Sequence, residues 1–416
     1  MYMGKKKESL IIFSVAALVS YFWLLVFMSG GFNLALNDTS RFMAAVFFAE
    51  RTSAGHLMQA YKDARSGAGK VNILIVPGHD SESFGTSYRG LREAEVTAAL
   101  GERLERLFKD NNNFKVAILR TGTGYNSSFI SYITAERSSI LSFIRDKRKT
   151  MRSYVSQGKV EEVDGVPHVA VPLDTAIKLY GTNVWADSLG MHLVIHVHFN
   201  DYPRAAQNFP GEYSGFAVYV PDGQYGNAAG SRAVAEKIFA RFARSYHPST
   251  YPKESAGIVP DQDLIALGAN DTLSAASVLI EYGYFYEPQF TYEETRSRAL
   301  DDLALKTYAG VLDFFGETSF FAGDSTFLPY RFDEDLKKGD RGKVSVLSLQ
   351  AALSADGLYP PSGKRKDECP LTGSFQDCTQ AALFAFQKRE GIPGDGSVAG
   401  PITREILNRR FSSGMF

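Results

Sequence analysis

The chain has 416 residues, of which 44 % are hydrophobic and 22 % are charged, and its formal net charge is −1 at pH 7. This composition is that of an ordinary globular protein with room for two or three domains, and it excludes a mainly disordered, low-complexity chain. Because the chain as a whole carries no excess positive charge to hold a polyanion, nucleic acid is not expected as a partner.

An uncharged apolar run lies close to the N-terminus. Lysines at 5–7 precede residues 9–28, which contain no charged side chain and are long enough to cross a bilayer as a helix. Positive charge before the run predicts a retained single-pass anchor over 1–30, with everything from Gly30 onward outside the cytoplasm. A cleaved signal peptide is the alternative, since residues 29–38 offer a weak cleavage site.

A stalk or leading helix is expected over 31–69, and strands that alternate with helices follow it. Apolar strands are predicted at 71–76, 114–119, 193–199, 215–220 and 277–281, and helices at 93–108, 232–246 and 292–315. This alternation predicts an α/β fold over 70–320, with a mostly parallel sheet covered by helices.

Residues 124–172 read as an insertion into that domain. The insertion has a basic, helix-like stretch at 129–154, and then Asp164-Gly165, which predicts a hairpin turn. The insertion either covers the functional site of the domain as a lid or is an addition without a role in that site.

A linker at 321–334 and a small all-α unit at 335–410 complete the chain. The unit contains the two cysteines of the chain, Cys369 and Cys378. They either close a loop by a disulfide, which fits an external location, or remain buried free thiols.

Four polar groups occur at the ends of predicted strands and helices. His79 follows the first strand, Glu93 opens the next helix, His198 ends the central strand, and Glu281 ends the last strand. Open α/β sheets place their sites at such strand ends. Two histidines and one glutamate form the open three-ligand zinc site of hydrolases, in which a further glutamate acts as general base.

The central strand carries a second histidine on the face of the first. The two-residue period of a strand places His196 and His198 on one side, so His196 is either a core histidine or part of the site. Glu281 ends an apolar strand, and an unpaired buried carboxylate is unfavourable unless it is protonated or faces a cation.

These motifs, in this order, resemble the zinc-dependent N-acetylmuramoyl-L-alanine amidases over about residues 71–315. The resemblance implies one zinc ion on His79, Glu93 and His198, with Glu281 as catalytic base. The corresponding segments are the opening strand with P-G-H at 73–79, R-E at 92–93, an approximate A-N-x-x-x-A-D at 182–187, H-x-N at 198–200 and L-x-E-x-G-Y at 279–284.

The chain departs from the family pattern around these motifs. Val76 stands where the family has Asp, Asp80-Ser81 replaces Gly-Gly, and His196 replaces Ser. Glu95 competes with Glu93 as a ligand, and other divalent ions can bind the same ligand set. Candidates for positioning or substrate contact are His196, Asn200, Asp80 and Arg92.

The C-terminal unit resembles the peptidoglycan-binding domain of wall hydrolases, or is a spacer that has lost affinity. Together with the predicted N-terminal anchor, the resemblances imply a hydrolase of the bacterial cytoplasmic membrane that faces peptidoglycan outside the cytoplasm. An activator protein that acts on the insertion is a further expected partner. The alternatives are a zinc peptidase on stem peptides and a catalytically inactive wall-binding regulator.

Overall fold

The computed structural model of the chain describes residues 52–168, 171–317 and 326–412. The predicted anchor at 1–30 and the first part of the predicted stalk lie outside these ranges. Within them, no helix combines the length and apolar character needed to span a membrane. The end of the predicted stalk forms helix α1 (Ala54–Arg65), whose Leu57 and Tyr61 are buried.

The larger domain alternates strands with helices, as the sequence predicts. Its elements after α1 are β1 (Val71–Pro77), β2 (Ser87–Tyr88), β3 (Leu91–Arg92), α2 (Glu93–Lys109), β4 (Phe114–Ile118), β5 (Arg120–Thr121), β6 (Gly124–Tyr125), α3 (Ser127–Ala135), α4 (Arg137–Ser156), α5 (Leu173–Ser188), β7 (Leu193–Asn200), β8 (Ala217–Pro221), α6 (Ala228–Phe242), β9 (Ile258–Asp261), a 3-10 turn (Ile265–Leu267), β10 (Ala276–Tyr284), α7 (Pro288–Thr291) and α8 (Glu293–Phe314).

Six strands form the central sheet in the order β4-β1-β7-β10-β8-β9. Strand β8 runs antiparallel to β10, and the other neighbouring pairs are parallel. The mostly parallel sheet expected from the sequence is therefore confirmed. The carboxyl ends of β1, β7 and β10, which are adjacent and parallel, meet at one edge of the sheet.

Helices cover both faces of the sheet. Successive strand residues point to opposite faces, and the apolar side chains on each face are packed against helices. Ile73 and Ile75 of β1 pack in the core that contains side chains of α1, α2, α6 and α8. Leu74 and Val76 point to the other face, where Trp185 of α5 and Phe129 of α3 cover them.

The insertion differs from its prediction. The helix-like stretch is two helices, α3 and α4, and helix α5 follows where the sequence indicated none. The predicted hairpin at Asp164-Gly165 is wrong, since no strand occurs among the described residues of 157–168. Instead, the backbone N–H of Glu161 donates to Gln224 and that of Val163 to Gln262.

The C-terminal unit has a core of its own and is not purely helical. Helices α9 (Val344–Ala355), α10 (Asp377–Arg389) and α11 (Pro401–Phe411) surround it, but β11 (Leu336–Lys337) pairs with β12 (Val398–Ala399), which corrects the all-α expectation. Backbone hydrogen bonding between the two ends of the unit is the physical reason. Cys369 and Cys378 form a disulfide.

Candidate functional site

His79 lies two residues after the end of strand β1. Its φ of 63° is a left-handed conformation that few non-glycine residues adopt. The carboxylate of Asp80 holds this turn, because its Oδ1 accepts the N–H groups of Glu82 and Ser83 at 2.9 and 2.7 Å. The turn aims the His79 ring at the start of α2.

Glu93 is the first residue of α2, and its side chain is 3 % exposed. Both of its carboxylate oxygens accept hydrogen bonds. Oε1 accepts the backbone N–H of Phe199 at 3.1 Å, and Oε2 accepts that of Thr86 at 3.1 Å. The Nε2 atom of His79 lies 3.2 Å from Oε2, and the Nδ1 atom of His198 lies 3.4 Å from Oε1. The carboxylate is thus fixed between the two imidazoles.

The three side chains predicted as ligands converge in the fold. One ligand atom from each of His79, Glu93 and His198 lies within 4.8 Å of the others. The two imidazole rings meet edge to face with centroids 5.1 Å apart. Glu95, the competing carboxylate, is exposed on α2 and is not in this group.

Two glycines make room for this cluster. A Cβ on Gly78 would lie 2.2 Å from the His198 ring, and one on Gly85 would lie 2.3 Å from Oε2 of Glu93. Gly85 also has a φ of 74°, which favours glycine. The close approach of backbone to both groups leaves no space for a larger residue at either position.

Arg120 is a buried residue of the site that the sequence did not point to. Its guanidinium donates to the carbonyls of Pro77 at 3.1 Å and Ala94 at 2.9 Å, to Thr97 Oγ1 at 2.7 Å, and to the carbonyl of Gly78. It therefore joins the end of β1, just before His79, to the first turn of α2, which carries Glu93.

Electrostatics favour an ionised Glu93. Burial alone would raise the pKa of this carboxyl, but hydrogen bonding with His198 and His79 outweighs burial and holds the pKa well below its usual range. Burial lowers the pKa of His198, which favours the neutral imidazole that binds metals.

Glu281 lies beside His198 on the neighbouring strand. The two residues are register partners in the parallel pair β7–β10, so their side chains share a face of the sheet. Oε2 of Glu281 is buried and has no hydrogen-bond partner. Burial raises the pKa of Glu281 well above its usual range, and the nearby carboxylates of Glu93 and Glu254 add to this effect.

This donor set fits a divalent cation. Two imidazoles and one carboxylate are zinc ligands, and three protein ligands leave a position for water or substrate. A cation beside Glu281 would also offset the unfavourable burial of its unpartnered oxygen. His79, Glu93 and His198 are therefore the residues that would hold the ion.

A second buried carboxylate, Glu254, also escaped the sequence analysis. It is 2 % exposed and accepts hydrogen bonds from Asn200 Nδ2 at 2.8 and 2.9 Å, from Tyr219 OH at 2.6 Å and from Tyr284 OH at 3.2 Å. Glu254 thus ties together the ends of β7 and β10, which carry His198 and Glu281. No local motif marks it, because its partners are distant in sequence.

The remaining sequence candidates occupy different places. Asn200 belongs to the Glu254 network, and Asp80 accepts Tyr125 OH and Lys178 Nζ, each at 2.8 Å. His196 is 2 % exposed with its Nε2 unpartnered, and burial, with the neighbouring His198, lowers its pKa to about 3. It is a neutral core histidine on the site face.

Arg92, the last of these candidates, lies on the protein surface at the edge of the site. Its guanidinium stacks 5.0 Å from the ring centroid of Phe84, whose side chain is also exposed. Both residues are on the surface beside Glu93, so Arg92 does not position the cluster through a buried contact.

The loop after β7 forms an open cavity of about 400 Å³. Thr86, whose N–H binds Glu93, also donates its hydroxyl to Asp201 at 2.5 Å. A short hydrogen-bonded path therefore joins the cavity wall to the cluster. The lining residues are Asp201, Tyr202, Pro203, Arg204, Ala206 and Gln207.

Residues 73–312 match the family model described as N-acetylmuramoyl-L-alanine amidase. A comparison with curated proteins gives no match. The match to the family model spans more than half of the chain.

Several solved structures are similar to part of the chain. The N-acetylmuramoyl-L-alanine amidase AmiC2 of Nostoc punctiforme is 16 % identical, with 60 % of this chain and 98 % of that chain covered at a TM-score of 0.36. Ami1 from Mycobacterium smegmatis is 17 % identical, with 60 % and 99 % covered at 0.38. The CwlD amidase from Clostridioides difficile, in complex with the GerS lipoprotein, is 14 % identical, with 59 % and 99 % covered at 0.38.

Proposed function

The chain belongs to the N-acetylmuramoyl-L-alanine amidase family, and we propose that it works through a zinc centre on His79, Glu93 and His198 with Glu281 as base. As a member of this family, it is an enzyme that hydrolyses the amide bond between N-acetylmuramic acid and the L-alanine of the peptidoglycan stem peptide. The observation that supports the assignment of roles is the convergence of three ligand atoms within 4.8 Å beside the unpartnered carboxylate of Glu281.

A zinc ion bound there would polarise the scissile carbonyl and acidify a water molecule for attack. The carboxylate of Glu281 accepts a proton from the attacking water as the new C–O bond forms. Glu281 then gives this proton to the alanine nitrogen as the C–N bond breaks. The products are a free muramic lactyl carboxylate and a free L-alanine amine.

The surrounding residues keep this geometry rigid. Glu93 stays ionised and oriented because two backbone N–H groups and two imidazoles contact it. Arg120 holds the backbone on both sides of the cluster, and Glu254 holds the strand ends that carry His198 and Glu281. Such outer contacts orient metal ligands and the groups that act with them.

The zinc mechanism is tested by product analysis. The full chain is incubated with purified peptidoglycan, with and without a chelator, alongside Glu281→Gln, and the released ends are identified by mass spectrometry. We expect free L-alanine amino termini on intact stem peptides, abolished by chelator and lowered about 10²- to 10⁴-fold in kcat by the substitution. A new terminus inside the peptide would instead identify a peptidase, and cleavage that resists chelator would refute the metal mechanism.

We also propose that the enzyme faces the wall from the cytoplasmic membrane. The uncharged run at 9–28, preceded by lysines, supports an N-terminal anchor with the catalytic domain outside the cytoplasm. The C-terminal unit would then bind peptidoglycan. Deleting residues 335–410 is expected to lower cosedimentation with wall fragments while cleavage of a soluble muramoyl peptide persists.

The insertion at 124–172 is a proposed point of action for an activator protein, as a lid over the site. Tyr125, inside this segment, and Lys178, on helix α5 directly after it, both contact Asp80 next to His79, so movement of the segment would reach the turn that carries a ligand. Deleting 124–172 should raise the hydrolysis of a soluble muramoyl peptide if the segment is a lid, and slower hydrolysis of that substrate by a folded product would argue against it.

A further inference from the structure

Helix α4 concentrates positive charge in a chain whose net charge is −1. Its 20 residues include a single acidic residue, Asp146, and six basic residues: Arg137, Arg145, Lys147, Arg148, Lys149 and Arg152. The buried residues of the helix, Ile140, Ile144 and Met151, face inward, and all of the basic residues except Lys147, which contacts Asp271, are exposed.

Four of these basic residues form one exposed stripe. Arg145, Arg148, Lys149 and Arg152 are all exposed, and their spacing of three, four and seven residues places them on one side of the helix. We refer to these four residues as the basic stripe. Arg145 pairs with Asp146, but Arg148, Lys149 and Arg152 have no carboxylate partner in the described part of the chain.

The stripe lies one helix away from the active site. Ile140 and Ile144 pack against Ile177 and Tyr180 of α5, and the Arg148 guanidinium lies 5.6 Å from the Tyr180 ring centroid. The same helix α5 presents Lys178 to Asp80, next to His79. The stripe thus lies near the active site without contributing a residue to it.

We propose that the basic stripe is a contact surface for the carboxylates of peptidoglycan stem peptides, which holds the polymer beside the active site. The inference rests on the proposed function, since it takes the wall as substrate. Stem peptides carry free carboxylates at repeated positions along an insoluble polymer, and a row of unpaired cations is complementary to them. Single exposed contacts are weak, so the surface acts through several of them together.

Such a surface affects polymer binding more than chemistry. Charge attraction at an exposed surface is screened over about 8 Å at physiological salt, so the stripe acts on chains lying against α4 and not on the scissile bond. A small soluble muramoyl peptide has no neighbouring polymer chains that could lie against α4. Its hydrolysis should therefore not depend on the stripe.

The test reverses the three unpaired charges. The full chain carrying R148E/K149E/R152E is compared with wild type for cosedimentation with purified peptidoglycan, in chelator so that no hydrolysis occurs. R106E/K109E/K115E, three exposed basic residues on α2 and β4, is the control with the same change in net charge. We expect an about five-fold loss of wall binding in the α4 variant, and little change in the control.

Two further comparisons separate the stripe from the catalytic site. Peptidoglycan whose carboxylates are blocked as amides should bind wild type and the α4 variant equally, as should native wall at high salt. Hydrolysis of a soluble muramoyl peptide by the α4 variant should remain at the wild-type rate. If neither wild type nor the variants cleave that substrate, the proposed function is refuted, and the binding result is unaffected.

The proposal is overturned if the α4 variant binds native wall as wild type does, or if amidated wall still distinguishes the two proteins. It is also overturned if the variant keeps wall binding but loses binding to vesicles of anionic phospholipid. Should the reversed variant unfold, R148Q/K149Q/R152Q, which only neutralises the charges, serves in the same assays with the same expected direction.

Discussion

The backbone N–H of Phe199 donates a 3.1 Å hydrogen bond to Oε1 of Glu93. Phe199 follows His198 directly on β7, and Glu93 opens α2, so one contact fixes the distance between two of the proposed ligands. A buried carboxylate is tolerated here because backbone donors and imidazoles surround it. The fold therefore holds Glu93 beside His198 through backbone contacts of its own.

Gly85→Ala is expected to impair metal binding, because the added Cβ would lie 2.3 Å from Oε2 of Glu93. Gly90→Ala is the matched control, since Gly90 has a similar φ of 85° but no atom within 4 Å of the added Cβ. Both substitutions should destabilise by about 1–2 kcal/mol through backbone strain. Only Gly85→Ala should lower zinc affinity in a competition titration, and equal affinities in the two variants would contradict the packing argument.

Glu254→Gln is expected to lower kcat by about 10- to 100-fold with little change in KM. An amide cannot accept all the hydrogen bonds from Asn200, Tyr219 and Tyr284, so the strand ends carrying His198 and Glu281 lose their common anchor. Steady-state kinetics on a soluble muramoyl peptide would measure this. Tyr219→Phe, which removes one of these bonds, is the milder control, and a wild-type kcat in Glu254→Gln would exclude the positioning role.

Asp80→Asn should destabilise the protein by about 1–2 kcal/mol at neutral pH. Burial alone would raise the pKa of Asp80, but the hydrogen bond from Lys178, with further ones from Ser83 and Tyr125, lowers it to about 2. A lowered folded-state pKa gives stability that is complete above the unfolded pKa near 3.8 and is lost as the pH falls towards 2. Urea unfolding should therefore separate wild type from Asp80→Asn at pH 7 and progressively less below pH 4. A difference in the free energy of unfolding between the two proteins that does not change with pH would contradict this explanation.

Glu281→Gln should stabilise the metal-free protein at pH 7. The pKa of Glu281 is raised by burial, so its stabilising contribution is complete below the unfolded pKa and declines as the pH rises. A neutral amide does not undergo this decline. Thermal unfolding in chelator should give a higher Tm for the variant at pH 7 and similar values near pH 4, and a lower Tm at pH 7 would show that the carboxylate is satisfied without a cation.

Much of the site follows from local sequence. His79, His198 and Glu281 end apolar strands, and parallel strands bring their carboxyl ends to one edge, so their proximity could be expected. Arg120 and Glu254 could not be predicted in this way. Their hydrogen-bond partners are distant in the chain and become neighbours only through the order of strands in the sheet.

The insertion and the helix that follows it show the same limit for secondary structure. Helix α5 buries residues in several directions, including Ile177, Tyr180 and Trp185, because it lies between α4 and the sheet. It therefore lacks the single apolar stripe that reveals a helix. Asp164-Gly165 has the sequence of a hairpin turn but forms no hairpin, since the side chains of Gln224 and Gln262 bind the backbone N–H groups of Glu161 and Val163.

The most direct test of the account is the zinc content of three proteins purified in parallel: wild type, Glu93→Gln and Glu281→Gln. Elemental analysis should find about one zinc ion per chain in wild type and in Glu281→Gln, and far less in Glu93→Gln, while both variants lose amidase activity. This pattern would separate a ligand from a base. Full zinc in Glu93→Gln, or loss of zinc in Glu281→Gln, would contradict the roles proposed for these carboxylates.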